Sequence, residues 1–262
     1  MTTPIIEFDR VDKIYNSGAG SVNALHEISL TIAPGEFIAL IGPSGCGKST
    51  LMRLIGDLEQ PSSGSVRVKS KTPHQARLDR DYGMVFQSPV LYEWRTIQKN
   101  VELPLEIIGR SKANRAERAQ ALLKLVGLEE FHHAYPHQLS GGMQQRAAIA
   151  RALSFEPSIL LMDEPFGALD EITRERLQLE LLNIWSNAEP QSTVIFVTHS
   201  IPEAVFLSDR VVVMSPRPGR IEKIVSINLP RPRVFETRES PEFFALANEV
   251  REALRAGERG QA

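Results

Sequence analysis

The stretch that most constrains the fold is Phe37-Ile38-Ala39-Leu40-Ile41 followed by Gly42-Pro43-Ser44-Gly45-Cys46-Gly47-Lys48-Ser49-Thr50. The apolar run reads as a buried strand, and Leu51-Met52-Arg53-Leu54-Ile55 behind it reads as the first turns of a helix. A G-x-x-x-x-G-K-S sequence in that strand–loop–helix setting is a phosphate-binding loop. Glycines at 42, 45 and 47 let successive backbone N–H groups converge without side-chain clashes. The helix beginning near Lys48 points its positive dipole end at the same place. In such a loop Lys48 reaches the β- and γ-phosphates and the Ser49 hydroxyl ligates Mg²⁺. The loop implies a bound nucleotide and leaves open what is done with it.

At 262 residues the chain can form one large α/β domain or two closely packed subdomains. A formal net charge of -2 weakens a nucleic-acid reading, because phosphate-backbone binding draws on a basic surplus. No run approaches the roughly 18 apolar residues of a membrane span. Met1-Thr2-Thr3-Pro4 has neither the basic start nor the apolar core of a signal peptide. The single cysteine, Cys46, leaves no internal disulfide and fits a reducing compartment. These features predict a soluble, cytosolic protein that meets a membrane only through a partner.

Ile5 to Val11 alternates with period two and reads as a half-exposed antiparallel strand; Asn16 to Gly20 has loop composition. Ile28 to Ile32 is a second strand, turned by Ala33-Pro34-Gly35 into the strand before the phosphate loop. Tyr15 is thereby held near the nucleotide, where it serves either as a stacking face for adenine or as a plain sheet tyrosine. Ser65 to Lys69 returns as an exposed strand, and Asp81 to Phe86 is a core strand ending at Gln87. From Ser88 to about Leu153 the character changes: Lys112 to Val126 and Met143 to Leu153 read as helices inserted into the α/β core. The runs Ser158 to Met162 and Thr193 to Val197 suit strands buried on both faces. They end at Asp163-Glu164 and at Thr198-His199. Strands alternating with helices imply a parallel sheet whose carboxyl ends hold the site, so Gln87, Asp163 and His199 belong at the edge of the phosphate loop.

A second motif, Leu139-Ser140-Gly141-Gly142-Met143-Gln144-Gln145-Arg146, is more specific than the first. With the phosphate loop, Gln87, Asp163-Glu164 and His199 it resembles the signature of the ATP-binding cassette (ABC) ATPases, over about Ile5 to Leu229. The resemblance implies an α/β P-loop NTPase fold. Its parallel sheet is RecA-like, with an antiparallel β subdomain and an inserted helical subdomain. The domain would span 1–230, the helical subdomain 88–154, and 231–262 would be a short C-terminal tail.

The same resemblance implies site roles. ATP would be bound by Gly42, Pro43, Ser44, Gly45, Cys46, Gly47, Lys48, Ser49 and Thr50, with Tyr15 in the adenine-stacking position. Ser140, Gly141 and Gly142 of a second, head-to-tail copy would face the γ-phosphate, and Asp170 of Leu169-Asp170 would sense the neighbouring site. Ser49, Gln87 and Asp163 would hold Mg²⁺. Glu164 would be the general base, and His199, Lys48 and Gln87 would complete the catalytic set. One departure is Gly56-Asp57-Leu58, where relatives commonly have Ala-Gly-Leu; it puts local helix packing in doubt.

His132, His133 and His137 lack cysteine or acidic partners at zinc-site spacing and read as loop histidines. Cys46 reads as a packed small residue whose thiol a nearby helix N-terminus could make more acidic, so a thiol reagent is expected to block activity. Tyr92 and Trp94 lie where the family receives a helix of a membrane subunit. The charged segment from Arg231 onward reads as a solvated end.

A lone cassette predicts an energy-coupling ATPase of an importer, bound to the cytoplasmic face of the membrane through permease subunits. A periplasmic or extracellular solute-binding protein would be an indirect partner, and no nucleic acid is expected. Ser88 to Ile97 and Ser215-Pro216-Arg217-Pro218-Gly219-Arg220 resemble the nitrate, sulfonate and taurine importer group. A non-transport ABC ATPase of DNA repair or ribosomes would be expected to show paired cassettes, zinc modules or coiled coils. A P-loop small-molecule kinase would lack the Ser-Gly-Gly signature.

Overall fold

A computed structural model of the chain describes residues 3–17, 20–187 and 191–259. In chain order the strands and helices begin with β1 (Ile6–Ser17), β2 (Gly20–Ile32), β3 (Phe37–Ile41), α1 (Lys48–Ile55), β4 (Ser63–Val68), α2 (Pro73–Leu78) and β5 (Tyr82–Val85). The helices α3 (Ile97–Ile107), α4 (Lys112–Leu125) and α5 (Gly141–Leu153) follow. The chain then returns through β6 (Ile159–Asp163), α6 (Glu171–Asn187), β7 (Thr193–Val197), α7 (Ile201–Leu207), β8 (Arg210–Met214) and β9 (Ile221–Ser226) to α8 (Pro241–Arg259).

The central sheet has six strands in the order β5-β6-β7-β3-β8-β9, parallel except where β9 runs against β8. β3 and β7 are buried at every residue. Such continuous apolar runs are what a sheet covered on both faces requires. The pleat divides them between two cores: Phe37, Ala39 and Ile41 enter one apolar cluster, Ile38 and Leu40 the other. The first cluster joins the sheet to α5, α6, α7 and α8. The second joins it to α1 and to a three-stranded antiparallel sheet of order β2-β1-β4. The antiparallel sheet and the inserted helices α3 to α5 are thus both present, on a parallel-stranded frame.

Several local expectations change. The loop composition of Asn16 to Gly20 is largely a continued hairpin, with Asn16 paired to Ser21 and Tyr15 to Val22; residues 18 and 19 lie outside the described residues. Helix α3 had no clear sequence signal because Pro104 falls inside it. It forms because the Thr96 side chain accepts from Lys99 N, capping its start, and because Ile97, Val101 and Leu105 bury one face at four-residue spacing. Asp57 sits just past α1 at φ 51, a left-handed position that aspartate tolerates. Its nearly buried carboxylate accepts from Arg77 Nε at 2.9 Å and Gln60 Nε2 at 2.6 Å, which ties α1 to α2.

The solvated end is the largest correction. Arg233 is only 4% exposed and donates to the carbonyls of Phe206 and Ser208, both at 2.8 Å, satisfying the open C-terminal end of α7. Burial, reinforced by the neighbouring charge of Arg231, brings the Arg233 pKa down to about 10. Arg231 lies over the Trp185 ring at 4.3 Å and pairs with Asp209 at 2.7 Å. Helix α8 then buries Phe243, Ala247, Val250 and Ala253 in the larger core. The charge that suggested solvation lies on the other face of an amphipathic helix.

Candidate nucleotide site

The phosphate loop leaves β3 and enters α1 through two left-handed glycines, Gly45 at φ 77 and Gly47 at φ 103. Only glycine adopts that backbone without strain. Lys48 is 7% exposed, and its ammonium donates to Gly42 O at 2.8 Å and Pro43 O at 3.0 Å. Ser49 Oγ donates to Asp163 Oδ1 at 3.1 Å, which brings the loop to the end of β6. Burial pushes the Asp163 carboxyl up, the Ser49 hydrogen bond opposes this, and the adjacent Glu164 charge adds to the rise. A hydroxyl joined to a carboxylate that burial and a second carboxylate both disfavour is a donor set suited to a hard divalent cation. Ser49 and Asp163 therefore fit Mg²⁺.

Glu164 has φ 46, a strained value for a side-chain-bearing residue. The surroundings fix it: its N–H donates to Val197 O at 3.0 Å and its carbonyl accepts from Gly167 N at 3.1 Å. Its Oε2 accepts from Gln87 Nε2 at 3.3 Å and lies 3.5 Å from His199 Nδ1. Side chains from the carboxyl ends of three parallel strands, β5, β6 and β7, thus meet at one oxygen.

These residues border a cavity of about 440 Å³. The antiparallel sheet contributes Tyr15, Val22 and Ala24; the phosphate loop contributes Ser44, Gly45, Gly47, Lys48, Ser49 and Thr50; Gln87, Glu164 and His199 supply the strand ends. The Tyr15 hydroxyl is 3.5 Å from Thr50 Oγ1, and Lys13 Nζ stands 4.7 Å from the centre of its ring.

Of the predicted residues, Gly42, Pro43 and Cys46 of the loop and Asp163 behind Ser49 do not border the cavity themselves, and a further set lies away from the loop. Ser140, Gly141, Gly142 and Asp170 do not border this cavity. The Ser140 side chain accepts from Met143 N at 3.3 Å and caps α5. Asp170 accepts from Thr173 N at 2.9 Å at the start of α6, and that N–H holds its carboxyl below the usual carboxylate range. A Cβ on Gly142 would meet Leu169 Cδ2 at 3.1 Å, whereas one on Gly141 would meet nothing within 4 Å. A side chain at 142 would press on Leu169 of its own chain, whereas one at 141 would meet open space.

Residues 25–167 match the family model described as ABC transporter. An uncharacterized ABC transporter ATP-binding protein of Methanocaldococcus jannaschii is 49% identical over 95% of this chain and 91% of its own length. The nitrate import ATP-binding protein NrtD of Synechocystis is 43% identical over 97% of this chain and 96% of its own. The chain belongs to the ABC transporter family. Among solved structures, a dimeric ATP-binding cassette in a post-hydrolysis state with ADP and Pi superposes with TM-score 0.78 at 38% identity, covering 85% of this chain and 99% of that one. The protein is an ABC ATPase with the P-loop NTPase fold, and solved cassettes of this kind are dimeric.

Two features of this ABC ATPase escaped the sequence. Arg217, after β8, also borders the cavity, with Nε and Nη2 each 3.3 Å from Gly45 O. Its nearness to the loop arises from a fold contact across 172 residues, which no local pattern encodes. Cys46 is fully buried, and burial pushes its thiol up rather than making it more acidic. Desolvation outweighs the nearby Lys48 charge, so the expected ready reaction with thiol reagents is withdrawn. His132 Nδ1 donates to Glu129 O at 2.7 Å, and among the described residues no cluster of three metal-ligating side chains occurs. Trp94 is 73% exposed with Tyr92 4.8 Å away, beside a groove of about 410 Å³ that Val90, Leu91, Tyr92, Pro104 and Ile107 help to line.

Proposed function

We propose that this ABC ATPase is the energy-coupling subunit of an importer, closing head to tail with a second copy around ATP and passing that motion to separate permease subunits. The observation that carries the catalytic part is the convergence of Gln87 and His199 on Glu164 Oε2 beside the phosphate loop. In this reading Tyr15 stacks on adenine, and the loop N–H groups with Lys48 hold the phosphates. Ser49 and Asp163, with Gln87, hold Mg²⁺, which supplies charge neutralisation to the phosphoryl group. Glu164 accepts a proton from water as its oxygen bonds to the γ-phosphorus and the bond to the ADP oxygen breaks. His199 orients the γ-phosphate and the water. Ser140, Gly141 and Gly142 complete the site of the second copy, and Asp170 lies at the contact between the two.

The importer part is supported by the likeness to nitrate import proteins along nearly the whole chain and by the exposed aromatic groove at Tyr92 and Trp94. That groove would receive a permease helix and would place the subunit on the cytoplasmic face of the membrane. No helix among the described residues is long and apolar enough to cross it. The solute class is a small anion of the nitrate, sulfonate or taurine type, delivered by an external binding protein. The test is co-expression with the permease encoded nearest to it: the pair should co-purify, and labelled anion uptake should cease with Glu164→Gln. A chain that hydrolyses ATP fully yet stays off every membrane fraction would overturn the importer reading.

A further inference from the structure

Between β8 and β9 the segment Ser215 to Arg220 forms a tight turn whose contacts serve more than the sheet. Ser215 N donates to Arg220 O at 3.0 Å, and Arg220 N donates to Ser215 Oγ at 3.1 Å, which closes the turn on itself. Gly219 N donates to Ala24 O at 3.0 Å and Gly219 O accepts from His26 N at 2.9 Å, which fastens it to β2. The backbone is then pressed onto the phosphate loop: a Cβ on Gly219 would stand 1.9 Å from Cys46 O. A rigid turn built to lie against the loop carries an arginine at its tip.

That arginine, Arg217, is exposed and borders the nucleotide cavity. Among the described residues its guanidinium has one kind of partner, the Gly45 carbonyl, reached at 3.3 Å by two of its nitrogens. Contacts of that length are weak, and among the described residues no carboxylate lies within ion-pair distance. A guanidinium has five N–H donors in a fork that matches phosphate oxygens, so most of its capacity and all of its charge remain available at the cavity. Gly45 makes room for it, since a Cβ there would lie 3.0 Å from Arg217 Nη2.

We propose that Arg217 is a nucleotide-binding residue that holds the phosphate chain of ATP and ADP from outside the phosphate loop. It rests on the nucleotide seat proposed above and adds a second cation to Lys48, carried by a turn rather than by the loop. Charge is the property it contributes. The N–H donation to Gly45 O is the resting contact.

The experiment measures ADP binding in Mg²⁺ by titration calorimetry on the full chain, for wild type, Arg217→Ala, Arg217→Gln and Arg217→Lys, with Lys48→Ala alongside. Arg217→Ala and Arg217→Gln should both weaken ADP about tenfold, the order expected of one charge-assisted hydrogen bond at an exposed site. Arg217→Lys should stay within about threefold of wild type, since it keeps the charge and loses only the fork. Arg217→Gln binding as wild type would overturn the proposal, because a neutral donor to Gly45 O would then suffice. Arg217→Ala binding as wild type would overturn it also. Should the alanine variant fail to fold, the contrast between glutamine and lysine still decides. Lys48→Ala binding ADP normally would instead remove the nucleotide seat itself, a separate failure.

Discussion

At the scale of the residue, the arrangement turns on Glu164, held at φ 46 by two backbone hydrogen bonds and met by Gln87 and His199 at one carboxylate oxygen. A glutamine there keeps the shape and loses the proton acceptor. Glu164→Gln should retain ATP while phosphate release falls by about 10²- to 10⁴-fold, the usual worth of a general base. A phosphate-release assay with bound ATP counted in parallel checks this, and a fall of less than tenfold would remove Glu164 from the role. Such residues were legible in the sequence because they sit at fixed offsets from strand ends. Gln87, Asp163 and His199 each follow a run of apolar residues that can only be a core strand. Cys46 was legible as a packed small residue, but the place of Arg217 and the rise of the Cys46 thiol were not, because both depend on which distant segment lies against the loop.

At the scale of the element, the strand ends are braced from beneath by polar groups. Glu203 of α7 is 8% exposed, accepting from Thr198 Oγ1 at 2.6 Å and Gln178 Nε2 at 3.0 Å, while Arg238 of the C-terminal segment donates to Gln178. The network thus runs from the residue before His199 through α6 to the chain's last segment. Burial pushes the Glu203 carboxyl above the ordinary glutamate range, against the Thr198 hydrogen bond. A carboxyl raised on folding adds stability that is complete below the unfolded pKa and is lost as pH rises through the folded one. Glu203→Gln does not titrate, so its stability relative to wild type should improve as pH climbs from 4.5 upward; melting curves at several pH values test the slope. A flat difference would mean that Glu203 is not desolvated.

Helix α8 belongs at this scale too. Its charged face gave the solvated reading, and its apolar face only shows when the residues are placed around a helix. Phe243 is 4% exposed in the main core, and Phe243→Ala should cost about 3 kcal/mol of unfolding free energy by denaturant titration. A loss below about 1 kcal/mol would return the segment to the solvent. Helix α3 was hidden by Pro104 for a parallel reason: burial of Ile97, Val101 and Leu105 outweighs one missing hydrogen bond.

At the scale of the whole molecule, the two groups of proposed site residues do not meet within one chain. Lys48, Glu164 and His199 share a cavity that Ser140, Gly141 and Gly142 do not border. The order of motifs was readable from the sequence, but their separation across the molecular surface is a matter of topology, set by helices inserted between β5 and β6. If closure joins one copy's cavity to the other's Ser-Gly-Gly, ATPase rate per chain should rise with protein concentration until dimers dominate. A rate per chain constant over all dilutions of a monomer would contradict that assembly.

The exposed start of α5 has a genetic corollary. If two copies close head to tail, a cell making only Lys48→Ala chains, or only Gly141→Arg chains, would have a silent motor. A cell making both would not, because the sound loop of the second type can be crowned by the sound glycines of the first. One working chamber would be rebuilt from two broken genes, because the loop defect stays with its bearer while the glycine defect falls on its neighbour.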